Sequence, residues 1–250
     1  TNEQELAQFF RNLPSIPYIM EEFVPGEICT YDAIVNSKGT VLFETGNVTP
    51  ISIMDSVNNH GSIRFYIIDH VAEDLKAAGR ACLKAFRVRS RFVHLEFFRL
   101  TEDHPYLGPK GQVVGLEVNM RPSGGPTPDM VNFAYSTDCY QHYADMMVYD
   151  KLRHQTKSIH CFCAYVGRWK ELPYLHSHEE ILTEFSDSLK LAQELPEVLA
   201  HGMGNYMYLA RLETKEKMGE FFHYTLDLKP TEPEKKPVRK TARRKTQRKS

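Results

Sequence analysis

Two stretches decide the fold: FVHLEFF at residues 92–98 and QVVGLEVNMRP at residues 112–122. Both alternate. Successive side chains of an extended strand point to opposite faces, so Val93, Leu95 and Phe97 share one face and His94, Glu96 and Phe98 the other. In the second stretch Val114, Leu116, Val118 and Met120 form an apolar row opposite Val113, Gly115, Glu117, Asn119 and Arg121. Each apolar row is expected to pack against helices. As hairpin neighbours, the strands would bring Glu96, Glu117, Asn119 and Arg121 within roughly 5–8 Å of one another. Two carboxylates and a carboxamide oxygen repel unless a cation sits between them, and hard oxygen donors are what Mg²⁺ takes. Arg121 is then suited to an anion such as a transferring phosphoryl group. The Pro122-Ser123-Gly124-Gly125 turn beyond it can aim backbone N–H groups at that anion. A plain solvated strand surface is the other reading, and alternation alone leaves both open.

Working outward, Val71, Leu75, Ala78, Cys82 and Ala85 recur at helical spacing and predict a helix over 69–86, with Asp69 as its cap. Segments 18–24, 28–35 and 40–44 are separated by Pro25-Gly26 and by Asn36-Ser37-Lys38-Gly39, the pattern of an antiparallel meander. Asp32 and Glu44 read as surface charges on it. An amphipathic segment over 3–12 ends before Pro14 and Pro17. Residues 48–62 read as a loop, in or beside which His60 and Arg64 are candidates to meet a substrate. Helices are expected from about Asp129 and over 138–152. Past Ser158 come a strand over 159–166 and a helix over 178–185 opened by the capping box Ser177-x-x-Glu180. A strand over 205–212 and a helix opened by Thr214 follow. The class is α+β, with an antiparallel sheet and a small α+β accessory unit.

Composition bounds the rest. The 250 residues are 42% hydrophobic and 25% charged, which excludes a wholly disordered or fibrous chain. No apolar run approaches the roughly 18 residues of a membrane span, and the N-terminus does not read as a signal peptide. Cys29, Cys82, Cys139, Cys161 and Cys163 are odd in number and mostly scattered, consistent with a reduced, cytoplasmic protein. The near-neutral net charge hides a split. Residues 229–250 hold ten Lys/Arg and two Glu, leaving the body acidic. This Pro-containing basic tail lacks the apolar surface to order itself, so disorder is expected. Nucleic acid binding through counterion release and a merely solubilising extension both fit it.

Leu116-Glu117-Val118-Asn119-Met120-Arg121-Pro122, preceded by Leu95-Glu96-Phe97, resembles the metal-binding strands of ATP-grasp ligases. Tyr18-Ile19-Met20-Glu21-Glu22-Phe23-Val24-Pro25-Gly26-Glu27 resembles the hinge strand that holds adenine in that family. The resemblance implies an ATP-grasp C-terminal lobe over 18–152, entered by a helix over 1–17, with the accessory unit at 158–228 and the tail at 229–250. It implies Glu96, Glu117 and Asn119 as Mg²⁺ (or Mn²⁺) ligands and Arg121 at the transferring phosphate. It implies Glu21, and the backbone of Glu22 and Val24, at adenine, and Glu27 at the ribose hydroxyls; Phe23 is expected in the core. The activity implied is ATP-dependent joining of a carboxylate, such as that of an amino acid, to an amine through an acyl-phosphate. Relatives of this kind often form homodimers.

One departure matters. In the family, a preceding domain and a lobe bearing phosphate-contacting lysines come before the hinge, where only about seventeen residues stand here. Lys38, in a hairpin turn, is a poor substitute. The chain begins without Met, so upstream sequence is expected. A separate polypeptide carrying the missing lobe, and a catalytically incomplete nucleotide- or partner-binding module with a nucleic-acid-binding tail, are the alternatives.

Overall fold

A computed structural model describes residues 2–51, 61–154 and 159–230. Helix α1 (Glu3–Arg11) precedes β1 (Gly26–Val35), a ten-residue strand whose odd and even side chains are both buried. Burial on both faces requires a sheet covered on each side, and that is what the chain builds. β2 (Val41–Thr45) and β3 (Asn47–Thr49) both pair with β1, and β4 (Ile63–Ile67) pairs with β3. β5 (Arg91–Leu100) pairs with β1 on its other side, and β6 (Val113–Asn119) closes that edge. β7 (Phe162–Arg168) joins β4, followed by β9 (Tyr206–Leu212) and β8 (Leu189–Glu194). The nine described strands form one antiparallel sheet, ordered β6-β5-β1-β3-β4-β7-β9-β8 with β2 beside β1. The strands of the 158–228 region thus extend the same sheet.

On one face α3 (Thr127–Tyr135) and α4 (Cys139–Tyr149) cover Ile34, Phe65, Ile67, Phe92 and Tyr165. On the other face α2 (Glu73–Ala85) covers Tyr31, Val93, Leu95 and Phe97, and α7 (Lys215–Leu226) covers Ala164, Val166 and Tyr208. Gly79 allows the first contact: a Cβ there would overlap the ring of Tyr31. α5 (His178–Glu184) adds Ile181 on the same side and starts with the expected capping box, both halves formed.

Several expectations are corrected. Residues 18–24 form no strand; 18–23 are exposed, and Phe23, expected in the core, is 84% exposed. α2 starts at Glu73 with Ala72 at its cap, so Asp69 does not cap it. Asp32 is buried, and Glu44 is tied to Tyr31, Lys76 and Arg80. β3, β8 and α6 (Glu197–Met203) were not legible as separate elements. Arg64 lies over the Phe222 ring, on the α7 face. His60 and most of the tail fall outside the described residues.

The row Leu116, Val118 and Met120, expected against helices, is exposed at 42%, 36% and 38% because β6 is the sheet edge. Its regular alternation also breaks. Phe97 pairs with Gly115, but Glu96 pairs with Glu117, so Leu116 is left over as a bulge. Val113 therefore packs on the α2 side with Phe97, while Glu117 sits opposite Glu96.

Candidate active site

The bulge sets the geometry of the site. Residues paired across an antiparallel ladder share a face, so Glu96 and Glu117 project together and Asn119 lies opposite His94. Like charges directly opposed destabilise a sheet unless something offsets them. Asn119 adds a second unmet demand: its Nδ2 is buried without a hydrogen-bond partner among the described residues. A half-turn of that amide presents Oδ1 instead. Two carboxylates and a carboxamide are a hard-oxygen donor set, short of a full cage, of the kind Mg²⁺ uses with waters and phosphate oxygens. Among the described residues no three His, Cys, Asp or Glu side chains gather as a metal-holding group. The set fits a shared, partly hydrated ion better than a dedicated protein cage.

Behind Glu96 lies a buried relay. Asn47 N–H donates to Thr30 Oγ1 at 3.0 Å, and Thr30 Oγ1–H donates to Asp32 Oδ2 at 2.5 Å. Asp32 Oδ1 meets His94 Nδ1 at 2.7 Å, and His94 Nε2 meets Glu96 Oε1 at 3.1 Å. β1 and β5 impose this order, because Thr30↔Glu96 and Asp32↔His94 are register partners. Burial alone would lower the His94 pKa, but the Asp32 and Glu96 carboxylates outweigh it and raise it to about 10. The imidazolium thus donates to both carboxylates and fixes one oxygen of Glu96. The signal available in the sequence was Asp32 between Tyr31 and Ala33, a charge set within an apolar strand.

A cleft of about 510 Å³ opens beside Glu96 and runs across the sheet to Met207 on β9. Its roof is the Ser123-Gly124-Gly125-Pro126 turn together with Leu199 and Met203 of α6. That roof is held down at close range. Tyr165 Oη donates to the Met203 carbonyl at 2.7 Å, and a Cβ on Gly167 would collide with the same oxygen.

The remaining sequence-read residues are placed less centrally. Arg121 is exposed and donates to the Pro122 carbonyl at 3.0 Å. Glu21 and Glu22 are exposed and Val24 is half-buried; Glu22 lies 3.4 Å from His104 Nε2, and the Pro25 carbonyl takes the Thr101 N–H. The structure does not bring Glu27 to the cleft. It pairs in register with Arg99, while its neighbour Ile28 lines the cleft, because adjacent strand residues face opposite ways.

No family model matches the sequence, and no curated protein matches it. Solved structures do match. L-amino acid ligase from Bacillus licheniformis aligns with a TM-score of 0.59 at 14% identity, over 89% of this chain and 57% of that one. Phosphoribosylglycinamide synthetase from Anaerococcus prevotii aligns at 0.53 and 17%, over 88% and 57%. N5-carboxyaminoimidazole synthetase from Staphylococcus aureus, complexed with ADP, aligns at 0.57 and 9%, over 89% and 56%. The chain therefore spans a little over half the length of these proteins. Across that span it has the fold of ATP-grasp ligases.

Proposed function

We propose that these residues form the metal- and substrate-binding part of an ATP-dependent ligase that joins a carboxylate to an amine. The observation that carries the reading is Glu96 opposed to Glu117 at the mouth of a cleft, within the ATP-grasp fold. Glu96, Glu117 and Asn119 would hold Mg²⁺ or Mn²⁺. When bound, the ion offsets phosphate charge and aligns ATP with the acid.

The chain's own residues do the rest. His94 keeps Glu96 aimed, and the relay back to Asn47 keeps His94 aimed. The Gly124-Gly125 turn offers backbone N–H groups to the carboxylate end of the acid. Arg121, released from the Pro122 carbonyl, would reach the transferring phosphoryl group. Glu21 and the backbone of Glu22 and Val24 would meet the adenine edge, and Glu27, outside the cleft, would meet the ribose hydroxyls. A carboxylate oxygen attacks the γ-phosphorus of ATP, giving an acyl-phosphate and ADP. The amine then attacks the acyl carbon, phosphate leaves, and the amine loses a proton. The acid and the amine are small molecules on this reading.

Glu117→Gln tests it. The variant removes one carboxylate from an exposed edge strand, so the fold is expected to persist while ATP turnover by the full-length protein disappears. Unchanged turnover in the variant would refute the metal assignment.

A further inference from the structure

The cleft is charged at one end only. Glu96 and His94 stand at the β5 end; beyond them the walls are uncharged, and Ile28, Phe65, Leu199, Met203 and Met207 supply their apolar surface. Phe65 and Tyr165 stack at 4.6 Å and 12°, giving the floor a flat aromatic surface. Two of the polar groups in the walls are engaged, Tyr165 Oη with the Met203 carbonyl and Thr30 Oγ1 with Asp32 and Asn47, and Asn47, Thr49 and Thr127 add only uncharged side chains. No Lys or Arg is among the described lining residues, and Arg64 is turned to the opposite face of the sheet. A second carboxylate or a phosphate at the β9 end would be desolvated without a counter-charge, a costly arrangement. An aliphatic or aromatic group there gains from leaving water. The volume and lining are those of a small-molecule site with a few polar groups at one end.

We propose that this cleft selects an acid with an apolar body, such as an amino acid with an aliphatic or aromatic side chain, over dicarboxylic or phosphorylated acids. The reading rests on the ligase assignment for which end takes the carboxylate, but not for the existence of the apolar end. The head lies toward Glu96 and the Gly124-Gly125 turn, and the body lies over Phe65 and Tyr165 beneath α6.

The test is ligand-observed saturation-transfer NMR on the full chain in Mg²⁺ buffer, with L-phenylalanine, L-leucine, L-glutamate and ribose 5-phosphate as probes. Phenylalanine and leucine are expected to bind. Met203→Glu is expected to weaken them by about tenfold or more, because it places a charge against the aromatic floor. Leu199→Glu, at a second wall residue that is 49% exposed, gives the same readout should Met203→Glu fail to fold. Equal or tighter binding of glutamate or ribose 5-phosphate overturns the proposal. So does binding of none of the four, or apolar binding that a folded α6 variant leaves untouched. Loss of ATP turnover as a property of the protein, with phenylalanine still bound, would sink the ligase reading alone.

Discussion

Removing the His94 ring is the most searching perturbation of the relay. Its side chain is 11% exposed and that of Asp32 only 4%, so the pair is shielded from solvent. In His94→Ala the Asp32 carboxylate keeps one short bond, from Thr30, and loses its counter-charge. Breaking a buried ion pair from one side costs about 3–5 kcal/mol, because the partner charge is stranded. Asp32→Asn removes that stranded charge. The double variant Asp32→Asn/His94→Ala should therefore be more stable than His94→Ala alone, although it has lost more. Coupling between residues in direct contact runs to about 0.5–3 kcal/mol, enough to read in urea unfolding curves of the metal-free chain. Glu96 gives a second readout. If Glu96 holds the metal as proposed, loss of its outer partner lowers metal affinity by about 10–100-fold, so Mn²⁺ binding followed by proton relaxation should weaken in His94→Gln. Near-wild-type stability of His94→Ala, or additive losses in the double variant, would refute the ion-pair account.

Three further outcomes follow from named contacts. Gly79→Ala gains about 1 kcal/mol of helix propensity but drives a methyl into the buried Tyr31 ring, where overpacking costs about 1–3 kcal/mol; thermal melting should show net destabilisation, and a rise in midpoint would contradict the Tyr31 packing. Burial acts to raise the Glu44 pKa, but bonds from Tyr31, Lys76 and Arg80 outweigh it and hold the folded value below the ordinary one. Its contribution is thus present above the unfolded value of about 4.3 and lost as pH falls through the lower folded value. The stability gap between wild type and Glu44→Gln should narrow on acidification below about pH 4.3, and a gap that widens would reverse the sign of the argument. Ser177→Ala removes one half of the α5 capping box and should cost about 1 kcal/mol in denaturant unfolding, with no loss meaning that the cap is idle.

The features legible from sequence are those that local chemistry fixes. Ser177 with Glu180 and Thr214 ahead of α7 each cap a helix from within a few residues. β1, β5, β7 and β9 are long, apolar and bounded by turn residues, so their existence needs no partner to be inferred. The elements missed depend on what lies across space. β3 has three residues and is a strand only because β1 and β4 flank it. Residues 18–24 have a strand-like pattern but pair with no described strand, and pattern without a ladder leaves 18–23 exposed and irregular. Asp32 reads as a surface charge in sequence because one position on a strand does not reveal that His94 stands opposite it.

The acidic pair was legible for a reason that its alternation alone does not supply. Continuing the Phe97↔Gly115 register by one step without a bulge would pair Glu96 with Leu116. Glu117 would then pair with Leu95, face α2, and set a carboxylate among Val93, Leu95 and Phe97. The extra residue at Leu116 prevents that burial by returning Glu117 to the Glu96 side, and it turns Leu116 itself outward at the sheet edge. Gly115 was the available cue, since glycine inside a strand often marks a bulge. The bulge escapes a desolvation cost, yet it creates a like-charge opposition that neutral side chains at these positions would avoid altogether. Keeping two carboxylates there, with His94 committed to one of them and Asn119 unmet beside it, is energetically coherent when a cation joins them.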